Sequence, residues 1–196
     1  YLYRTNASGT NTKTWTVSWW FKQTEIPSTR SSYVEHWQGG VYGEATRAGV
    51  DSSDRLWIDV GGGDGNTGTR FRSLSTAKLR DTSAWYHVVI ACDSTQSTEA
   101  DRLKVWLNGV EVTTWDQHQI PTLNFASALA GFGGITMKWG SYDATYNGYS
   151  GYLAECHYLD GVTKVQTDFG EFDEDSGIWK PKEYTGTYGT NGTYLD

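Results

Sequence analysis

The chain of 196 residues has a net charge of −7, and 15% of its residues are aromatic. That length fits one domain, and the acidic balance with singly scattered Lys and Arg excludes a nucleic-acid backbone binder, which needs clustered cations. No run approaches the roughly 20 apolar residues of a membrane-spanning helix, so no membrane insertion is predicted. Because the chain begins without Met and without a leader pattern, we expect it to be a segment of a longer protein.

The first predicted element is a strand at residues 14–22, where apolar and polar residues alternate. Trp15, Val17, Trp19 and Phe21 share one face, and threonine and serine occupy the other. A period of two is typical of a strand with one face in the core and the other in solvent. We therefore predict a half-buried strand.

Two hairpins follow along the chain. The first joins residues 55–60 to 69–74 across a tip rich in Gly, Asp and Asn, which are turn-forming residues. The second leaves residues 103–107 through Asn108-Gly109. Asn-Gly between two β-forming runs is the strongest short hairpin signal in this sequence.

Further strands are predicted at 85–93, 135–139, 151–159 and 188–195, where β-forming residues recur. Helix evidence is limited to short segments such as 75–79, which would make a single turn. Many short strands separated by Gly-rich turns predict one all-β domain, either a sandwich or a barrel.

Four of these elements, taken in chain order, resemble a known family. They are the aromatic strand at 15–21, a W-x-H-V strand at 85–88, a strand ending in N-G at 105–109 and a strand beginning G-x-L-x-E at 151–155. This order is similar to that of laminin G-like domains in the concanavalin A-like lectin/glucanase superfamily. The resemblance implies an all-β, two-sheet antiparallel jelly-roll sandwich, with residues 1–196 forming a single domain.

A second resemblance lies in the C-terminal part. Residues 168–171, 178–182 and 184–192 resemble laminin G-like segments of tail-fibre and other virion proteins of bacteriophages, marine phages in particular. The resemblance implies a structural module of a virion, in a tail fibre, an appendage or a head decoration. It also implies host-surface glycans or other virion subunits as partners, and a homo-oligomer in the assembled particle.

Cysteine and histidine usage gives no support to nucleophilic or metal-dependent catalysis. Cys92 and Cys156 each lie in an apolar run, which favours two buried thiols, although the sequence leaves a single disulfide open. His87 and His157 lie in predicted strands, where hydrogen-bonded packing is the usual role. Neither a nucleophile elbow nor a zinc-ligand spacing occurs.

An acidic run near the C-terminus is the candidate for glycoside hydrolysis. On a strand, Glu171, Asp173 and Asp175 would share one face, which resembles the acidic triplet of laminarinase-type glycoside hydrolases. Glycines flank the run and apolar alternation is missing, so a solvated turn is the better interpretation. The hydrolase triplet also lies mid-chain, whereas this run lies near the end. We therefore predict no catalytic residue and no enzyme activity.

Calcium is a possible cofactor, because many laminin G-like domains hold Ca²⁺ at a loop rim. The ion takes about six to eight oxygen ligands. The tip of the first hairpin offers Asp59, Asp64 and Asn66 as candidate metal ligands, and the run 173–175 offers a second place. Neither spacing is specific for calcium, and ordinary turns stabilised by Asp and Asn are the alternative.

Aromatic residues support a binding hypothesis, because a flat exposed ring matches the apolar face of a sugar. Trp15, Trp19, Trp85 and Trp106 lie in apolar phase and are predicted to be core. Six other rings lie in or beside polar, Gly-rich stretches and are the predicted ligand-binding residues: Trp37, Tyr42, Trp139, Tyr142, Tyr146 and Tyr149. The alternative is that these rings anchor a long loop or a neighbouring subunit.

The sequence thus predicts a non-enzymatic binding or display module of a virion structural protein that contacts host-surface carbohydrate. One alternative is a purely structural decoration or subunit-contact domain. The other is a polysaccharide depolymerase that uses Glu171 and Asp173. Family resemblance supplies much of this functional hypothesis, since one fold hosts many functions.

Overall fold

The computed structural model describes residues 2–5, 7, 11–37, 45–62, 68–129, 136–140 and 149–196. At residues 3 and 35–37 it describes the backbone alone. Its larger sheet has seven strands, in the spatial order β1 (Leu2–Thr5), β11 (Thr136–Trp139), β3 (Ser31–Trp37), β4 (Ala45–Val50), β5 (Arg55–Gly61), β6 (Arg70–Lys78) and β10 (Trp115–His118).

The smaller sheet has six strands, in the order β15 (Thr193–Leu195), β12 (Gly151–Asp160), β2 (Thr14–Gln23), β7 (Tyr86–Asp93), β8 (Leu103–Leu107) and β9 (Val110–Glu111). A separate hairpin pairs β13 (Gly170–Phe172) with β14 (Trp179–Pro181). Short 3-10 helices occupy Glu99–Asp101 and Gln166–Asp168. Both large sheets are antiparallel, which confirms the predicted two-sheet sandwich. Within the described ranges, no helix is long and apolar enough to cross a membrane.

The main core lies between the inner faces of the two sheets. Trp15, Val17, Trp19 and Phe21 of β2 are buried there, as the alternation predicted. Alternate residues of β5, among them Ile58, face them from the seven-stranded sheet. Large aromatic side chains dominate this core, and each removes a large apolar area from water.

The outer face of β2 is also buried, which corrects the prediction of a half-buried strand. Thr16 and Ser18 are completely buried, and Trp20 is nearly so. The C-terminal segment covers this face, because Phe169 and Tyr184 pack with residues of β7, β8 and β12 in a second apolar cluster. Period two predicted the strand correctly but could not reveal that a distant segment covers its polar side.

The predicted Asn108-Gly109 hairpin joins β8 to β9. Asn108 has φ 48° and Gly109 has φ 81°, the pair of positive values that a type I′ turn requires. The turn also contacts the C-terminal hairpin, because a Cβ at Gly109 would lie 2.4 Å from the ring of Trp179. This position therefore needs glycine for both its backbone conformation and its packing.

Replacing Gly109 with alanine is expected to lower the free energy of unfolding by about 2–4 kcal/mol, from the left-handed conformation and the displaced Trp179 ring together. Gly177→Ala is the matched control, since Gly177 has φ 68° and a Cβ there would meet nothing within 4 Å. The control should cost about 1–2 kcal/mol, the conformational part alone. Urea denaturation measures both, and equal losses would contradict the packing role of Gly109.

Several strands were not predicted, among them β3 and β4, and one predicted turn is a strand. β3 and β4 have weak apolar alternation, and their pairing with β11 and β5 defines them as strands. Residues 75–78, predicted as a single helical turn, continue β6. The predicted C-terminal strand at 188–195 is shortened to β15.

Candidate functional site

Trp139 is not the exposed ring that the sequence predicted. It lies in β11, which is inserted between β1 and β3, and its side chain is 4% exposed within the main core. A ring that is packed between the sheets offers no face to a sugar. The backbone of Trp37, in β3, pairs with Thr136 and Ala45. Tyr42, Tyr142 and Tyr146 lie outside the described residues.

Tyr149 is a structural anchor. Its ring meets Tyr33 edge-on at 4.5 Å between centroids, and burial raises the pKa of its hydroxyl. The hydroxyl lies within hydrogen-bond distance of the backbone carbonyls of Lys22 and Tyr152. Gly151 permits this approach, because a Cβ there would lie 2.3 Å from the Tyr149 hydroxyl. Tyr149 thus ties together the ends of two neighbouring strands.

Those strand ends present an exposed aromatic pair. Trp85 is 42% exposed and Tyr152 is 60% exposed, and their ring centroids lie 6.5 Å apart at an interplanar angle of 50°. Lys22 is the register partner of Tyr152, and Trp85 directly precedes Tyr86, the partner of Phe21. We name Trp85, Tyr152 and Lys22 the aromatic platform. The prediction that Trp85 is core is wrong.

The platform is open because the C-terminal segment that covers this sheet reaches only the neighbouring row of residues, that of Trp20 and His87. In that row Trp20 stacks on His87 at 4.8 Å between centroids, and the indole of Trp179 donates a 2.9 Å hydrogen bond to His87 Nδ1. Trp20 is therefore buried, whereas the next row, with Trp85 and Tyr152, is exposed. The sheet supplies a rigid base for these rings.

Asp81 lies next to the strand that carries the platform, since its backbone amide donates a 3.0 Å hydrogen bond to the hydroxyl of Tyr86. Hydrogen bonds from Ser83, with a smaller contribution from the Lys22 ammonium group, hold the pKa of Asp81 below its usual range. Asp81 is therefore ionised at neutral pH and accepts hydrogen bonds, while Lys22 donates them. Apolar ring faces beside a donor and an acceptor match the C–H faces and hydroxyl groups of a sugar.

His87, His157 and the two cysteine thiols are structural. The Trp179 indole can only donate, so His87 Nδ1 is the acceptor and the ring proton lies on Nε2. His87 Nε2 then donates to Ser18 Oγ at 2.8 Å. Burial lowers the pKa of His87 to about 3 and of His157 to about 4. Both cysteines are free and buried, as favoured from the sequence, and burial raises their thiol pKa values. No activated nucleophile is present among the described residues.

The acidic run forms a solvated turn. Asp173 Oδ1 accepts hydrogen bonds from the backbone amides of Asp175 and Ser176, and Oδ2 accepts one from Lys180 at 3.0 Å. The Lys180 hydrogen bond is the main cause that lowers the pKa of Asp173. A general acid of a glycosidase needs the opposite shift, a raised pKa, so Asp173 is not suited to that role.

Asp59 is not placed to bind calcium. It is completely buried, and both carboxylate oxygens accept hydrogen bonds from Arg72, at 2.7 and 2.8 Å. A carboxylate oxygen that accepts a hydrogen bond from one guanidinium group and lies near others is a poor ligand for a divalent cation. Asp64 and Asn66 lie outside the described residues, so their calcium role stays a prediction. Within the described ranges, no three His, Cys, Asp or Glu side chains form a metal site.

Comparison with known proteins identifies the family. A laminin G family model, described as the concanavalin A-like lectin/glucanases superfamily, matches residues 1–156. The chain belongs to this family. Comparison with curated protein sequences gave no match.

Solved structures share the fold at low sequence identity. A heptameric SAP-like pentraxin from Limulus polyphemus is 14% identical with a TM-score of 0.55, over 99% of this chain and 85% of that one. Domains LG4-5 of mouse laminin alpha1 are 14% identical with a TM-score of 0.55, and the match covers 84% of this chain and 41% of that chain. Domain 4 of a GH43 arabinanase from Geobacillus stearothermophilus is 17% identical with a TM-score of 0.50, and the match covers 79% of this chain and 64% of that chain. These likenesses establish the fold alone.

Proposed function

We propose that this laminin G-type domain is a non-enzymatic carbohydrate-binding module whose sugar site is the aromatic platform. One observation carries the proposal: Trp85 and Tyr152 present exposed rings 6.5 Å apart between centroids, in the strand row of Lys22. Trp and Tyr combine an apolar ring face with a polar group, which matches the apolar C–H face and the hydroxyl groups of a sugar ring.

The geometry also fits a shallow, external site. The two rings are inclined by 50° and form an open corner, while Tyr149 holds the backbone beneath them. Such a corner contacts one or two sugar units of a long chain and needs no enclosed pocket. The solved structure of the arabinanase domain contains arabinotriose, which supports an oligosaccharide as ligand for this fold.

We further propose that the module is displayed on a bacteriophage virion, in a tail fibre, an appendage or a head decoration, as a homo-oligomer in the particle. The support is the sequence resemblance of residues 168–192, which lie outside the family match to residues 1–156. In the fold these residues cover the outer face of the six-stranded sheet and define where the platform begins. Host-surface glycan and neighbouring virion subunits are the proposed partners.

Single substitutions Trp85→Ala and Tyr152→Ala are each expected to weaken glycan binding about tenfold or more, because each removes one stacking face. Phe172→Ala is the control, since Phe172 is also half-exposed but lies on the C-terminal hairpin. A glycan array identifies a ligand, and calorimetry with that ligand measures the dissociation constants. Thermal unfolding verifies that all variants remain folded.

Running the array with Ca²⁺ and with EDTA separates the remaining hypotheses. Binding that EDTA leaves unchanged and that requires Trp85 supports the platform. Binding that EDTA abolishes transfers the site to a calcium loop. Absence of binding in both buffers contradicts the proposal and favours a purely structural contact role, and sugar release from a polysaccharide would favour the depolymerase.

A further inference from the structure

The outer face of the seven-stranded sheet carries an unusual concentration of positive charge. Arg47, Asp59 and Arg72 lie in one row across β4, β5 and β6. Arg70 belongs to the same group, with its Nη1 3.7 Å from Asp59 Oδ2, and Arg30 lies beside it over the ring of Trp57. We name the four arginines the arginine cluster. It lies on the opposite side of the sandwich from the aromatic platform.

One buried carboxylate does not neutralise four guanidinium groups. Arg72 hydrogen-bonds to both oxygens of Asp59. Arg47 Nε is buried 3.5 Å from Asp59 Oδ2 and has no hydrogen-bond partner among the described residues. In a protein of net charge −7, this local excess is a specific feature of the sheet.

The guanidinium groups are held in place from below. Arg30 and Arg47 lie over the ring of Trp57 at 5.3 and 5.6 Å from its centroid. Trp57 is 1% exposed, and its indole donates a hydrogen bond to the Ser31 carbonyl at 3.2 Å. Gly49 permits this arrangement, because a Cβ there would lie 1.7 Å from that carbonyl oxygen. Arginines fixed by an aromatic face lose little entropy on binding a ligand.

The arginines of the cluster also repel one another. Burial is the main cause that lowers the pKa of Arg30. The charges of Arg72 and Arg47 lower it further, whereas those of Asp59 and Asp51 raise it. Because like charges at close range raise the free energy of the unliganded face, an anion that lands among them gains both hydrogen bonds and relief of repulsion.

We propose that the arginine cluster is a second ligand site, which binds an oxyanion group of an acidic polysaccharide. Planar guanidinium groups match the paired oxygens of carboxylate, sulfate and phosphate groups, and their planes also stack on sugar rings. The site goes beyond the platform, because it selects ligands by charge and lies on the other sheet. The domain would thereby contact an acidic glycan through two independent faces.

The test is binding of defined anionic probes, measured by calorimetry at low and at physiological salt. The probes are an oligogalacturonate, a sulfated oligosaccharide, inorganic phosphate and a short single-stranded DNA. Arg30→Gln and Arg70→Gln should each weaken oligosaccharide binding about tenfold. Arg80→Gln is the control, because Arg80 is 65% exposed and pairs with Asp54 outside the cluster. It changes the net charge equally and should leave binding within about twofold.

The outcomes separate this site from the platform. Loss in Arg30→Gln and Arg70→Gln, with unchanged binding in Arg80→Gln, supports the proposal. Inorganic phosphate has no sugar ring to stack on the platform, so its binding reports on the arginine cluster alone. The probe that binds most tightly names the oxyanion. An equal loss of binding in Arg80→Gln would show that only the net charge of the protein matters, and it would overturn a defined site. Failure of every probe overturns it as well, and DNA binding as tight as that of the oligosaccharides overturns the polysaccharide assignment.

Discussion

Replacing Asp59 with asparagine is expected to destabilise the domain by about 3–5 kcal/mol, the usual cost of removing one partner from a buried ion pair. Asp59 is completely buried, and the substitution keeps its shape while it removes the only described carboxylate within 4.0 Å of Arg47, Arg70 and Arg72. The three guanidinium groups would then repel one another without the carboxylate that lies between them. Urea denaturation of wild type and variant measures the difference in the free energy of unfolding.

The matched control is Asp116→Asn. Asp116 also pairs with an arginine, Arg55, at 3.0 Å, but its side chain is 42% exposed. Water screens that pair, so the expected loss is about 0–1 kcal/mol. A loss of that size in Asp59→Asn as well would show that the arginine cluster is solvated and that its charge is not held by the fold.

Acid is expected to unfold this protein through two buried histidines. His87 and His157 are nearly inaccessible to solvent, and burial lowers their pKa values to about 3 and about 4. Both therefore stay neutral in the folded state well below the pH at which an unfolded histidine, with a pKa of about 6.5, takes up a proton.

The direction of the pH dependence follows from which state binds more protons. Above pH ~6.5 neither state is protonated at these rings, and the histidines place no charge-related penalty on folding. As pH falls from ~6.5 toward ~4, the unfolded state binds two protons that the folded state does not, so stability falls. Between pH ~7.5 and ~4.5 the two rings together should remove on the order of 5 kcal/mol.

Urea denaturation across that pH range measures the loss. In His87→Gln, roughly half of the pH dependence should disappear, because the glutamine side chain does not titrate. His118→Gln is the control, since the His118 side chain is exposed and its pKa is lowered by partial burial only. A pH profile of His87→Gln that runs parallel to wild type would contradict a neutral, buried His87.

Local sequence signals predicted the elements whose causes are local. The alternation at 14–22 became β2, and Asn108-Gly109 became a hairpin, because side-chain period and turn conformation depend on residues close in sequence. β3 and β4 escaped prediction because their strand character comes from the ladders that they share with β11 and β5. A polar strand is recognisable only beside its neighbours.

The site residues show the same division more sharply. Trp139 and Tyr149 lie near polar, Gly-rich stretches, yet one is packed between the sheets and the other clamps two strand ends. Trp85 has the phase of a core residue but lies just beyond the segment that covers its sheet, and it is exposed. Phase along a strand states which residues share a face, and it contains no information about what covers that face.

For this protein the sequence by itself determined an all-β domain with its aromatic core strand and its Asn-Gly hairpin, and the family resemblance added the concanavalin A-like sandwich. Only the tertiary structure decided which aromatic rings are exposed and what surrounds Asp59. The carboxylate was expected at a calcium rim, and strand register instead placed Arg47 and Arg72 on either side of it. Register joins residues that are far apart in sequence, so long-range pairing alone decides whether a buried charge meets a cation from the protein or from solution.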